Sequence, residues 1–193
     1  MVTILPLSSP VAQRGTSLLE VLITIVILAI GLLGLAGLQT RLQSSEIEAY
    51  QRSQALILLN DMASRIATNR ANADDYLTAS PLGAGMNCPT GTTSTDLIDA
   101  GQWCSALQGA AETLDSNNVG AMVGGRGCVE KITGSPGDRE YRITVAWQGL
   151  TPIAAPPADV TCGEGSYNGG AACVDDLCRR TVTTVVRIGD LAS

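Results

Sequence analysis

The chain has 193 residues, with 12 Lys and Arg against 18 Asp and Glu and a formal charge of −6. This acidic balance, with Lys131 as the single lysine, argues against a nucleic-acid partner, because phosphate neutralisation needs clustered cations. The absence of His removes the commonest general base and metal ligand. G-x-S-x-G, P-loop and H-E-x-x-H motifs are missing as well, so no catalytic residue, metal or cofactor is expected.

Residues 1–15 form a short segment whose only basic side chain is Arg14 and whose last residue is Gly15. Thr16 follows, and then a run from Val21 to Thr40 that holds no charge and twelve Val, Leu or Ile residues. About twenty apolar residues span a bilayer as a helix of ~30 Å. Twelve such side chains favour insertion by roughly 4 to 7 kcal/mol, which outweighs one acid costing about 3 kcal/mol at most. The acid is Glu20, at the mouth of the run. The run exceeds the apolar core of a secretory signal and no A-x-A-like site follows it, so it is expected to stay in the mature chain. Gly31, Gly34 and Gly37 punctuate its second half. They read either as sites of close helix approach or local melting, or simply as the Gly common in membrane helices.

Leu42 to Arg70 contains neither Pro nor Gly. Ala55, Leu58, Leu59, Met62, Ala63 and Ile66 recur at helical spacing on one face, so a helix is expected to continue to Arg70 and to end in NRANADD. Asp74–Gly127 reads as irregular with one short helix. Three strands are expected beyond it: Cys128–Thr133, then a GSPGD turn, Tyr141–Trp147, and Arg180–Ile188. Tyr141, Ile143, Val145 and Trp147 alternate inward, as do Val182, Val186 and Ile188, leaving the other face wet. The apolar stripe of the helix is the natural cover for this sheet, which predicts an α+β head.

All six cysteines lie after the apolar run. No CxxC pair marks a zinc site, so disulfides in an oxidising compartment are expected. That places the head outside the cytoplasm, although Arg41 and Arg52 follow the run and the positive-inside rule gives no clear answer. An antiparallel three-stranded order brings Cys128 and Cys178 to one end of the sheet. Their pairing is expected on that ground, with Cys88–Cys104 and Cys162–Cys173 as local loops. The long segment from Gln148 to about residue 179 is read as a solvated acidic loop. Asp159, Glu164, Asp175 and Asp176 are its possible Ca²⁺ ligands, without EF-hand spacing.

The segment ending in Gly15, followed by TSLLEVLITIVILAIGLLGLAGLQ with Glu20 fifth after the cut, resembles the class III signal of type IV pilins. ILAIGLLGLAGLQ and QALILLNDMASRIATNR most resemble the PilV-type minor pilins, the type IV pilus modification proteins. Thr16 stands where that family usually has Phe. The resemblance implies an α+β pilin-like fold in four parts: a leader at 1–15, a transmembrane helix at 16–40, an amphipathic stalk at 41–72, and a disulfide-containing head at 73–193. It further implies cleavage between Gly15 and Thr16 by a prepilin peptidase/methyltransferase, N-methylation of Thr16, and an assembly role for Glu20 through an N-terminal amine. The partners implied are other minor pilins and the major pilin, contacted through helix 16–70. The location implied is the inner membrane, with a single pass and a periplasmic head, and then the extracellular pilus. A type II secretion minor pseudopilin is the alternative, sharing leader, acid and stalk.

Overall fold

The computed structural model describes residues 17–189 except Ala111, Ser116, Val119, Ala121 and residues 133–138. They fall into two compact units divided between Gln43 and Ser44. The first is the opening part of α1 (Leu18–Thr68), a helix of 51 residues. The second contains the rest of α1, a 3₁₀ helix (Arg70–Tyr76), β1 (Leu82–Gly83), α2 (Thr95–Leu107), β2 (Thr113–Leu114), β3 (Asn117–Asn118), β4 (Arg126–Ile132), β5 (Arg139–Gln148) and β6 (Arg179–Ile188). A long N-terminal helix, a small antiparallel sheet and disulfides make this the pilin-like α+β class expected. The GSPGD turn, residues 134–138, lies outside the described residues.

α1 stops two residues short of Arg70. Asn69 leaves helical geometry and donates from its amide to the Tyr76 hydroxyl at 3.2 Å, while Asn72 donates to the Asn69 amide oxygen at 3.1 Å. These local side-chain bonds compete with the helical ladder and convert its end into a 3₁₀ turn.

The main sheet has the order β1-β4-β5-β6 and is antiparallel throughout. β5 and β6 pair without a bulge from Arg139↔Ile188 to Gln148↔Arg179. Opposed residues share a face, so Val129, Tyr141, Ile143, Val145, Trp147 and Val182 point to one side, where all are buried. Ala55, Leu59, Met62 and Ile66 of α1 join them in one core, with Trp103 and Leu107 of α2. Gln51, absent from the expected stripe, is buried one turn before Ala55. Gly127 is required here, since a Cβ at that position would overlap the Trp103 ring. The indole N–H of Trp103 donates to the Leu58 carbonyl at 2.9 Å, so its polar atom is satisfied inside the core.

Polar groups join the helices to one another and to the sheet. Arg65 bonds Asp61 at 3.0 Å, Gln102 at 2.8 Å and Asp99. Tyr76 donates to Asp99 at 2.6 Å, and Tyr141 donates to Asp74 at 2.8 Å. Burial, then these carboxylate acceptors, push both phenols up to about 12.

The opposite face of the sheet is not wet along its whole length. The segment after β5 folds back over it. Cys162 bonds to Cys128 of β4, and these two, with Ala146 and Tyr167, form a second small core. Arg126 lies over the Tyr167 ring at 5.1 Å from its centroid. Arg142 joins Glu130 at 3.1 Å to Asp159 at 3.0 Å. Arg179 is buried, paired with Asp176 at 3.1 Å, and donates to the carbonyls of Val160 at 2.6 Å and Cys162 at 3.2 Å. The expected solvated acidic loop is therefore, in this part, a layer pinned by two arginines, and Asp159 and Asp176 go to separate cations. Only the end of the face near Thr183, Val185 and Arg187 is exposed.

The disulfides are Cys88–Cys104, Cys128–Cys162 and Cys173–Cys178. The expected Cys128–Cys178 and Cys162–Cys173 bonds are not formed. β5 lies between β4 and β6, which sets those strands about 9.6 Å apart, beyond the reach of a disulfide. The register adds an offset along the strands, because Cys128 pairs with Thr144 whereas Cys178 lies beyond the Arg179↔Gln148 pair. Cys162 instead arrives over the open face, and Cys173 closes on Cys178 five residues later.

Two outcomes follow from this packing. Arg179→Met strands the Asp176 carboxylate and should cost about 3 to 5 kcal/mol; at ~2 to 4 °C per kcal/mol, Tm falls by about 6 to 20 °C. An unchanged Tm would show that the arginine does not hold the layer. Tyr76 and Tyr141 keep their protons in the folded state at pH values where an unfolded chain, with phenols near 10, has lost them. Stability should therefore be insensitive to these groups below about pH 9 and decline from about pH 10 towards 12. Thermal unfolding at pH 8, 9.5 and 11 checks this, with a shallower decline in Tyr141→Phe.

Candidate assembly site

α1 begins at a cap. Ser17 Oγ accepts the Glu20 backbone N–H at 3.2 Å, and the Ser17 carbonyl accepts from Glu20 at 3.0 Å and Val21 at 3.3 Å. Ser17 and Glu20 thus have the S-x-x-E spacing of a capping box, with the serine half formed. The Ser17–Glu20 spacing is a helix-start signal that the sequence itself carries. The cap places Glu20 in the first turn, where the exposed amides give the helix its positive end and favour an acid by about 0.3 to 1 kcal/mol in water. The Glu20 side chain is exposed and has no hydrogen-bond partner among the described residues. Gly15 and Thr16 lie outside them.

From Val21 to Gln43 every side chain is exposed in the isolated chain. The segment is long and apolar enough to cross a membrane. Its hydroxyls suit that setting: Thr24 donates to the Val21 carbonyl at 2.8 Å and Thr40 to that of Ala36 at 3.1 Å. Neither needs water, as hydrocarbon demands. A Cβ added at Gly31, Gly34 or Gly37 would meet nothing within 4 Å. The described residues therefore offer no packing reason for three residues that each cost about 1 kcal/mol of helix propensity in water.

One family model, the prokaryotic N-terminal methylation motif, matches residues 11–36. No curated protein and no solved structure matches the chain. The matched stretch contains Gly15, Thr16, Ser17, Glu20 and Gly31–Gly34. With the α+β fold, the motif supports a type IV pilin-like protein, pilin or pseudopilin. That class is structural rather than catalytic, is anchored in the membrane by its apolar helix, is processed by a prepilin peptidase and assembles with other pilins.

Proposed function

We propose that this chain is a minor pilin of the PilV type, which helps to start or modify a type IV pilus and so serves twitching motility and adhesion. The observation that carries the reading is Glu20: a capped, exposed carboxylate with no described partner at the mouth of an apolar helix, inside the matched motif. The NDMASRIATNR stretch and the six cysteines favour the pilus over the type II secretion pseudopilus.

In this reading a prepilin peptidase hydrolyses the Gly15–Thr16 bond at the cytoplasmic membrane face. Thr16 then carries an α-ammonium, which is also the site of N-methylation. An ammonium beside the positive end of a helix is disfavoured, and a carboxylate in hydrocarbon is costly, so each relieves the other. Thr16 and Glu20 are i and i+4 on one helix, so the amine is either the chain's own or that of a neighbouring subunit. Residues 16–40 cross the inner membrane once. The head, with its three disulfides, lies in the periplasm and later on the extracellular filament. Pilins, minor and major, are the partners of helix 16–70.

The mature N-terminal residue, read by mass spectrometry of protein from cells, should be Thr16; a chain still starting at Met1 would remove the reading. Gly15→Leu should leave the leader in place. Glu20→Ala should be cleaved normally yet fall by about tenfold in sheared filaments, equivalent to ~1.4 kcal/mol. Loss of surface pili on gene deletion, with type II secretion intact, separates the pilus from the secretion reading.

A further inference from the structure

The three disulfides of the second unit have different settings. Cys88 and Cys104 pack with the main core, and Cys128 and Cys162 belong to the small core behind the sheet. Cys173 and Cys178 belong to neither; Cys178 is buried, whereas Cys173 is half-buried and open to solvent on one side. They are five residues apart, against 16 and 34 for the other pairs. So short a loop takes the least entropy from the unfolded chain, which makes this bond the weakest of the three as a global brace. What it closes is a turn. Asp175 and Asp176, inside it, both stand at positive φ, 50° and 60°, which side chains other than Gly rarely adopt. The layer behind the sheet is fastened at this turn. One Asp176 oxygen pairs with the buried Arg179 at 3.1 Å, and the other accepts the Gly165 N–H at 2.9 Å. The Asp176 N–H donates to the Asn168 side-chain oxygen at 2.9 Å. The carbonyls of Leu177 and Cys178 accept from Ile153 and Gly149, each at 2.8 Å, and that of Cys173 from Gly169 at 3.0 Å.

We infer that Cys173–Cys178 is a modification site, a latch that a dithiol opens by thiol–disulfide exchange, and that its opening frees the layer over the back of the sheet while the main core stays closed. Attack falls on Cys173, the member of the pair that solvent reaches. A thiolate of the dithiol bonds to Cys173 Sγ, and the Sγ–Sγ bond breaks with its electron pair on Cys178, which takes a proton. The second thiolate of the dithiol then displaces Cys173, which takes a proton in turn. The protein gains two electrons and two protons, and the dithiol becomes a disulfide. Without the cross-link, Asp175 and Asp176 leave the left-handed region, because nothing now over-determines it. Asp176 no longer holds Arg179. A buried guanidinium without its carboxylate is costly, so Arg179 moves to water and releases the carbonyls of Val160 and Cys162. The main core has no member in this turn and keeps its packing. The inference does not rest on the pilin reading, and its test is separate from leader cleavage.

The full-length chain in detergent micelles is titrated with dithiothreitol, quenched with iodoacetamide and mapped by mass spectrometry. Cys173 and Cys178 should be alkylated together, about tenfold faster than the other four cysteines. When only that pair is open, hydrogen exchange over residues 160–178 should rise about tenfold, with exchange in β5 unchanged. The double variant Cys173→Ser with Cys178→Ser should show the same raised exchange without reductant. If that variant fails to accumulate, the titration of the native chain decides alone. Six cysteines reacting at one rate, or either other disulfide opening first, would overturn the inference. So would an open Cys173–Cys178 pair with exchange over 160–178 unmoved, or one that also loosens β5.

Discussion

The head of this protein has no core without the half of α1 that carries Gln51, Ala55, Leu59, Met62 and Ile66. A four-stranded sheet with one of its strands only two residues long cannot bury Tyr141, Ile143 and Val145 by itself. The helix supplies the cover, and α2 completes it by sending Trp103 into the space left open by Gly127. The register of that helix is therefore constrained by the sheet. A shift by one residue rotates the stripe by about 100° and turns Met62 away from the strands. The Arg65–Asp99–Tyr76 network has the same effect in polar terms, since its members come from α1, α2 and the 3₁₀ helix. Charge pairs of this kind add little when exposed, but half-buried and mutually bonded they fix how the elements meet.

The second layer is built differently. Few large apolar residues cover the back of the sheet, and the material is a segment rich in Gly, Pro and Ala. Such a chain gains little from burial and loses much entropy on ordering. It is held by a disulfide closing 34 residues of sequence, by a short five-residue disulfide, and by arginines that cap otherwise unbonded carbonyls. Asp175 and Asp176 sit in the left-handed region, with φ of 50° and 60°, in the turn that brings Asp176 to Arg179. Strain of that sort persists when the surroundings over-determine it. Here the disulfide on either side and the buried pair do so.

At the N-terminal end the chemistry is simpler. Ser17 starts the helix, Glu20 stands in its first turn, and the following side chains offer hydrocarbon to their surroundings on all sides. Among the described residues nothing packs against Gly31, Gly34 or Gly37. The prokaryotic N-terminal methylation motif matches residues 11–36, which include Ser17, Glu20, Gly31 and Gly34.

Local chemistry was enough to read α1, its apolar and one-sided halves, the inward alternation of β5 and the place of Glu20 at the mouth of the apolar run, because each depends on periodicity or on neighbours a few residues away. Ser17 was equally legible from its spacing to Glu20. The disulfide partners, the covered back face and the role of Arg179 were not. They depend on which strand lies between two others, and on where a 30-residue stretch without periodicity comes to rest. Only tertiary structure decides that, because a loop's path is set by the groups it meets at the far end and leaves no repeating signature in its own residues.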